Sequence, residues 1–206
     1  MTERRFHGRE RITIELDGTL SAAALALPAG LELDPIDGRA RVSLFAFDVE
    51  KLRITGIPLA RWSYPEILWR VAVRRGSEPA WWIVACDLEA RGPRWAAKRY
   101  VRYEVRAHAV EVTERRVGSR GNAGDFVMIL DEEIEPVQLE PNRLLLVGAD
   151  ASWQVPWGDD DTPATRTSVL VETDSLSVTT LGAPVLWAGD ARVRRGRQHR
   201  CGVAHR

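Results

Sequence analysis

Glu66 and Arg70 stand four residues apart in a run that alternates with period two, so their carboxylate and guanidinium project from the same face of one strand. On a cavity floor that pair could hold a substrate carboxylate in the guanidinium fork while the glutamate moves a proton. On a solvated edge it would be a surface ion pair of little energetic weight. A second charged row, Arg102, Glu104, Arg106 and His108, alternates with Tyr103, Val105, Ala107 and Ala109. Facing inward it would supply anion-binding and proton-transfer groups, and for His108 the solvent-facing orientation is the expectation.

Amine chemistry has few candidates, because Lys51 and Lys98 are the only lysines in a chain with 29 basic side chains. Lys98 beside Arg99 could be a nucleophile, since a neighbouring cation disfavours the charged amine. His199, Cys201 and His205 place three potential metal ligands in seven residues, but they lie in an arginine-rich stretch without a hydrophobic pattern. That stretch, 196–206, is expected to be a flexible basic tail, and neither a metal nor a cofactor is expected. No glycine-rich phosphate loop, Ser-His-Asp order or dinucleotide fingerprint is present.

The elements that must position these groups are mostly strands. Ile67, Trp69, Val71 and Val73 alternate with Glu66, Leu68, Arg70, Ala72 and Arg74, and Gly76-Ser77-Glu78-Pro79 turns the chain into Ala80–Cys86, apolar on both faces. A return strand without a polar side is buried on both sides, as in a barrel or a covered sheet. Glu10–Leu16, Arg39–Val49, Phe126–Leu130, Leu144–Val147, Ser168–Glu172 and Ser175–Thr180 also read as strands. Short helices are expected after Thr19 or Ser21 through Leu27, and from Pro93 to about Val101. Gly118–Gly124 reads as a flexible turn and Asp159–Pro163 as an acidic loop. Without a βαβ rhythm, the expected class is strand-dominated α+β, a closed or nearly closed barrel in one domain spanning 1–195.

Length and composition agree with this class. The 206 residues suit one well-buried domain, and 29 acidic groups cancel 29 basic ones, so no global field favours nucleic acid or an anionic membrane. Two cysteines do not make a disulfide framework, and Cys86 reads as a small buried hydrophobe. The longest apolar run, Ala22–Ala29, is too short to cross a bilayer, and a cytoplasmic location is the default expectation.

The order of the pieces resembles the acetoacetate decarboxylase-like superfamily, and within it the YqjF-like bacterial proteins. The resemblance is carried by Arg9-Glu10 before a strand, Leu27-Pro28-Ala29-Gly30-Leu31-Glu32-Leu33, Ala40–Phe47, Tyr64-Pro65-Glu66-Ile67-Leu68-Trp69-Arg70, and Glu78-Pro79-Ala80 with the helix carrying Trp95 to Tyr100. It implies a conical β-barrel around a small, polar-bottomed cavity, and a homo-oligomer as a possible assembly. The superfamily's decarboxylases form a Schiff base through a lysine followed by a second lysine. Here the corresponding text is Lys98-Arg99-Tyr100-Val101-Arg102-Tyr103-Glu104, without a Lys-Lys step, and the reactive position falls near Tyr103 or Glu104. A phenol or carboxylate cannot make an imine.

The functional expectation is therefore a protein or lyase-like enzyme that takes a small carboxylate or carbonyl ligand. Glu66, Glu104 and Lys98 are the catalytic candidates, and Arg70, Arg106, Trp69 and Tyr103 the substrate-binding ones. A Schiff-base lyase or hydratase using Lys98, and a non-catalytic structural or sensing barrel, are the alternatives.

Overall fold

The alternating segments extend into long strands. The computed structural model describes residues 4–55, 61–101, 104–137, 144–147, 153–155 and 163–205. In chain order the strands are β1 (Arg4–Leu20), β2 (Glu32–Leu33), β3 (Pro35–Ile36), β4 (Arg39–Ile54), β5 (Trp62–Arg75), β6 (Glu78–Asp87) and β7 (Val105–Arg106). They continue as β8 (Ala109–Val112), β9 (Arg116–Gly121), β10 (Gly124–Val137), β11 (Leu144–Val147), β12 (Trp153–Val155), β13 (Ala164–Asp174) and β14 (Leu186–His205). Among the described residues two short helices, α1 (Arg91–Ala96) and α2 (Leu176–Leu181), accompany the strands, with a π turn at Ala97–Val101 following α1.

Strand pairing closes a ring. β1 pairs with β4 on one edge and β14 on the other; β4 pairs with β5, β5 with β6, β6 with β11, β11 with β12, and β12 with the end of β14 at Trp153↔His205. The sheet forks at β14, whose Asp190–Arg194 stretch also pairs with β13. From there β10, β9 and β8 continue as an arm. The arm folds over one face of β4 and β5, where β8 comes against both strands.

That packing distinguishes the two faces of β5. Trp69 meets Phe126 of β10 at 5.6 Å between ring centroids, so Ile67, Trp69, Val71 and Val73 face the arm in one apolar cluster. Tyr64, Glu66, Leu68, Arg70 and Ala72 face the other way, where Phe45, Phe47, Trp81, Ile83 and Cys86 pack with Ala96 and Ala97 at the end of α1. The strand-dominated class holds. The turn after β5 is also as expected, with Gly76 at φ +61°, a conformation side chains resist.

Local departures have local causes. The helix expected through Leu27 is a single 3-10 turn, Ala22–Ala24. The strand expected at Ser175–Thr180 is α2, because the Asp174 carboxylate accepts from the Ser177 N–H at 2.9 Å and the Thr180 hydroxyl donates to the Leu176 carbonyl at 2.7 Å. Gly118–Gly121 belongs to β9 rather than to a flexible turn. The basic stretch expected to be a tail is strand instead: its backbone runs along β1, with Gly8↔His199 and Arg4↔Val203. Most of the acidic loop, residues 159–162, lies outside the described residues.

Candidate functional site

Glu66 and Arg70 are both buried on the face of β5 turned away from the arm, at 4% and 6% exposure. β5 carries them there by alternation, and each finds its own neighbours. Arg70 Nη2 donates to Glu15 of β1 at 2.5 Å and to the Ser43 hydroxyl of β4 at 2.9 Å. Its guanidinium carbon lies 4.3 Å from the Phe45 ring centroid and 4.7 Å from that of Trp81, a cation held between two aromatic faces. Glu66 accepts from the Cys86 thiol at 3.0 Å across the β5–β6 pair.

Around Arg70 the charges form a connected set. Arg192 Nη2 reaches Glu15 at 3.4 Å and Asp17 at 2.9 Å, and Arg41 Nη2 donates to the same Asp17 oxygen at 2.9 Å. Burial alone would raise the Glu15 carboxyl, but Arg70, Arg192 and Arg194 outweigh it and lower its pKa from 4.5 to about 2. Burial lowers the Arg70 guanidinium from its ordinary value, against the pull of Glu15 and Asp17. The Cys86 thiol is pushed well up by burial and then by Glu66, so it stays protonated and gives its hydrogen to that carboxylate. Such a charge set can bind an anion and relay a proton.

A separate polar cluster lies on the other face, between ring and arm, with the wholly buried Asp87 at its centre. Asp87 accepts from Trp69 Nε1 at 2.8 Å, from the Ser119 hydroxyl at 2.9 Å and from Arg106 Nε at 2.6 Å. Arg106 Nη1 donates to Thr180 of α2 at 2.5 Å. Ser119 has one proton, and Asp87 takes it; His108 Nδ1, 3.0 Å from the same hydroxyl, must therefore donate. With His108 donating, no imidazole nitrogen faces the serine as a base, and the cluster joins arm to ring. Burial lowers the His108 pKa, in opposition to Asp87.

These placements revise several expectations. His108 is buried rather than solvent-facing, and it fits because a Cβ at Gly121 would come within 2.3 Å of its ring. Arg70 and Arg106 were expected to anchor one anion, yet β5 separates them: Arg70 lies by Phe45 and Trp81 on one face, while Arg106 lies over the arm-facing Trp69 ring at 5.9 Å. Lys98 is exposed on the π turn, and Glu104 is exposed with its carbonyl bonded to the Cys86 N–H at 2.8 Å. Tyr103 lies outside the described residues, as do the side chains of His199, Cys201 and His205. Sequence reasoning missed Glu15, Asp17, Arg41 and Ser43. Glu15 and Asp17 alternate with Ile14 and Leu16 on β1, a signal that was available but gave no partner.

The fold is that of acetoacetate decarboxylase-like proteins. It matches the enduracididine biosynthesis enzyme MppR, solved with the condensation product of pyruvate and imidazole 4-carboxaldehyde, at TM-score 0.66 and 13% identity over 100% of this chain and 88% of that one. An acetoacetate decarboxylase-like enzyme from Sphingomonas wittichii matches at 0.64 and 12% identity, covering 98% and 91%. Acetoacetate decarboxylase from Legionella pneumophila matches at 0.61 and 10%, covering 97% and 85%. No curated sequence matches. Residues 20–173 match the family DUF2071, described as an uncharacterized conserved protein, and the chain belongs to that family. Among the described residues no helix is long and apolar enough to cross a membrane.

Proposed function

We propose that the face of β5 turned away from the arm binds a small carboxylate or carbonyl compound, with Arg70 as the anion-holding group and Glu66 as the proton-transfer group, and that any reaction there proceeds without an imine. The observation that supports this reading is the burial of both charges on one face of β5. Burying charge costs free energy, and a ligand site is one reason a fold retains it. The exposed position of Lys98 favours an imine-free route over the Schiff-base alternative. Structures of MppR, one of them solved with pyruvate, show that the same fold can hold a small keto acid.

In this reading Glu66 shuttles its proton with the neighbouring Cys86 thiol as hydrogen-bond donor, and Phe45 and Trp81 exclude water from the guanidinium. Trp69 and Arg106 hold the wall from behind. The test is thermal-shift titration with a panel of small carboxylates and carbonyl compounds, in parallel with borohydride treatment. Saturable stabilisation in the wild type, weakened in Glu66→Gln, with no borohydride-stable adduct, is the expected result. Absence of any shift across the panel overturns the reading, and an adduct lost in Lys98→Ala replaces it with the Schiff-base mechanism.

A further inference from the structure

Gly118 sits in the middle of β9 with a strand on either side, paired with Glu111 of β8 and Val127 of β10. A glycine there weakens the sheet, because it has no side chain to pack and the most backbone freedom to lose. The usual reasons for keeping one do not apply. Its φ is outside the left-handed region, no bulge interrupts either register, and an added Cβ would meet nothing nearer than the Phe126 carbonyl oxygen at 3.8 Å. At Gly121 the same addition would strike the His108 ring at 2.3 Å. The remaining reason for a glycine inside a strand is the close approach of another molecule to its backbone.

The surroundings fit such an approach. Val117 packs in the core and Ser119 reaches Asp87, so Arg116, Gly118 and Arg120 project from the opposite face, beside Ala109 and Glu111 of β8. With Val110, these five residues line an open groove of about 520 Å³, the size of a small-molecule site, and Gly118 is its bare floor. An arginine stands at each end of that floor, the two Cα atoms about 13 Å apart along the strand. Arg116 contacts Glu111 at 3.4 Å, a partly solvated pair of little weight. Arg120 is exposed and makes no side-chain hydrogen bond or ion pair among the described residues, although Asp125 is its cross-strand partner on β10. Its guanidinium fork is therefore open to an acceptor.

We infer that this groove binds the oxyanion of a small molecule, a phosphate or carboxylate group seated over Gly118, with Arg120 holding it in its fork and Arg116 flanking the other end. Two oxygens in a plane match the parallel N–H groups of a guanidinium, which a spherical anion does not. Glu111 and Asp125 offset the two arginines in charge, so affinity here comes from the fork and the bare floor rather than from a general positive field. The groove lies on β8 and β9, apart from Arg70 on β5, and stands independently of the proposed function.

An NMR titration of the β9 amide resonances with inorganic phosphate, succinate and chloride, at constant ionic strength, tests this on the wild type, Arg120→Gln and Gly118→Val. Phosphate, succinate or both are expected to give saturable shifts centred on Gly118, and which of them does so identifies the oxyanion; chloride gives none. Affinity should weaken at least about tenfold in Arg120→Gln, through loss of the charged hydrogen bonds. It should weaken as much in Gly118→Val, whose side chain fills the floor at a position with room for a Cβ. Absence of a saturable shift with either oxyanion, an equal response to chloride, or unchanged affinity in a folded Gly118→Val overturns the inference. Should the valine variant not fold, Arg120→Gln decides alone, and unchanged affinity there overturns it.

Discussion

Arg70 and Glu15 meet at 2.5 Å although β4 runs between their strands. The contact spans 55 residues of sequence and ties β1 to β5 through side chains as β4 does through backbone. The Glu15 carboxyl is depressed from 4.5 to about 2, so its ion pairs stabilise the fold fully above pH 4.5, and that contribution is lost as the pH falls toward 2. Urea unfolding of the wild type should show stability dropping through this window. Glu15→Gln should flatten that slope, and an unchanged slope would remove Glu15 from the acid response.

Removing one member of the pair is expected to cost more than removing both. Arg70→Met strands a buried carboxylate and should lower stability by about 3 kcal/mol. Arg70→Met with Glu15→Leu should be less destabilised than the sum of the single variants, by a coupling of at least about 1 kcal/mol. Chemical denaturation of the four proteins completes the cycle, and additive losses would contradict a direct interaction.

The junction between arm and ring makes a steric prediction at Gly121. Its added Cβ would meet the His108 ring at 2.3 Å, and that ring is enclosed by Ser119 and Asp87. Gly121→Ala should therefore cost about 2 kcal/mol, as overpacked cores do. Truncating the imidazole in Gly121→Ala/His108→Ala should recover part of the loss. A stable single variant would show that β9 can move away from His108.

Cys86 should be inert while the protein is folded. Its thiol is raised by burial and by the adjacent Glu66, and thiolate is the reactive species. In a Cys201→Ser background, a disulfide reagent should label it only at the rate of unfolding, and labelling should be complete in denaturant. Rapid labelling of the native protein would show that solvent or a small reagent reaches Cys86 and finds a thiolate there.

The strands were legible because their alternation is local: Glu66, Leu68, Arg70 and Ala72 share a face in the sequence as they do in the ring. What joins them was not. Nothing near Arg70 announces Glu15, and the choice between solvent and enclosed hollow depends on ring closure by β11, β12 and β14, whose pairings are long-range. α2 was read as a strand because Ser177-Val178-Thr179-Thr180 has β-branched character, which the Asp174 cap and tertiary packing override. The basic end of β14 lacks an apolar stripe, yet backbone pairing with β1 holds it. His108 sat in a charged row that looked solvated; the signal pointing inward was a glycine, Gly121, thirteen residues later.

The central claim is that the face of β5 turned away from the arm holds a small acid at Arg70. The most direct measurement is an NMR titration that follows the Arg70 Nε–Hε resonance, assigned by its loss in Arg70→Lys, as lactate is added. A saturable shift of that resonance, with the Hε proton protected from exchange in the bound state, is the predicted result. An Hε signal that stays fixed up to high lactate, while the protein remains folded, would contradict the account.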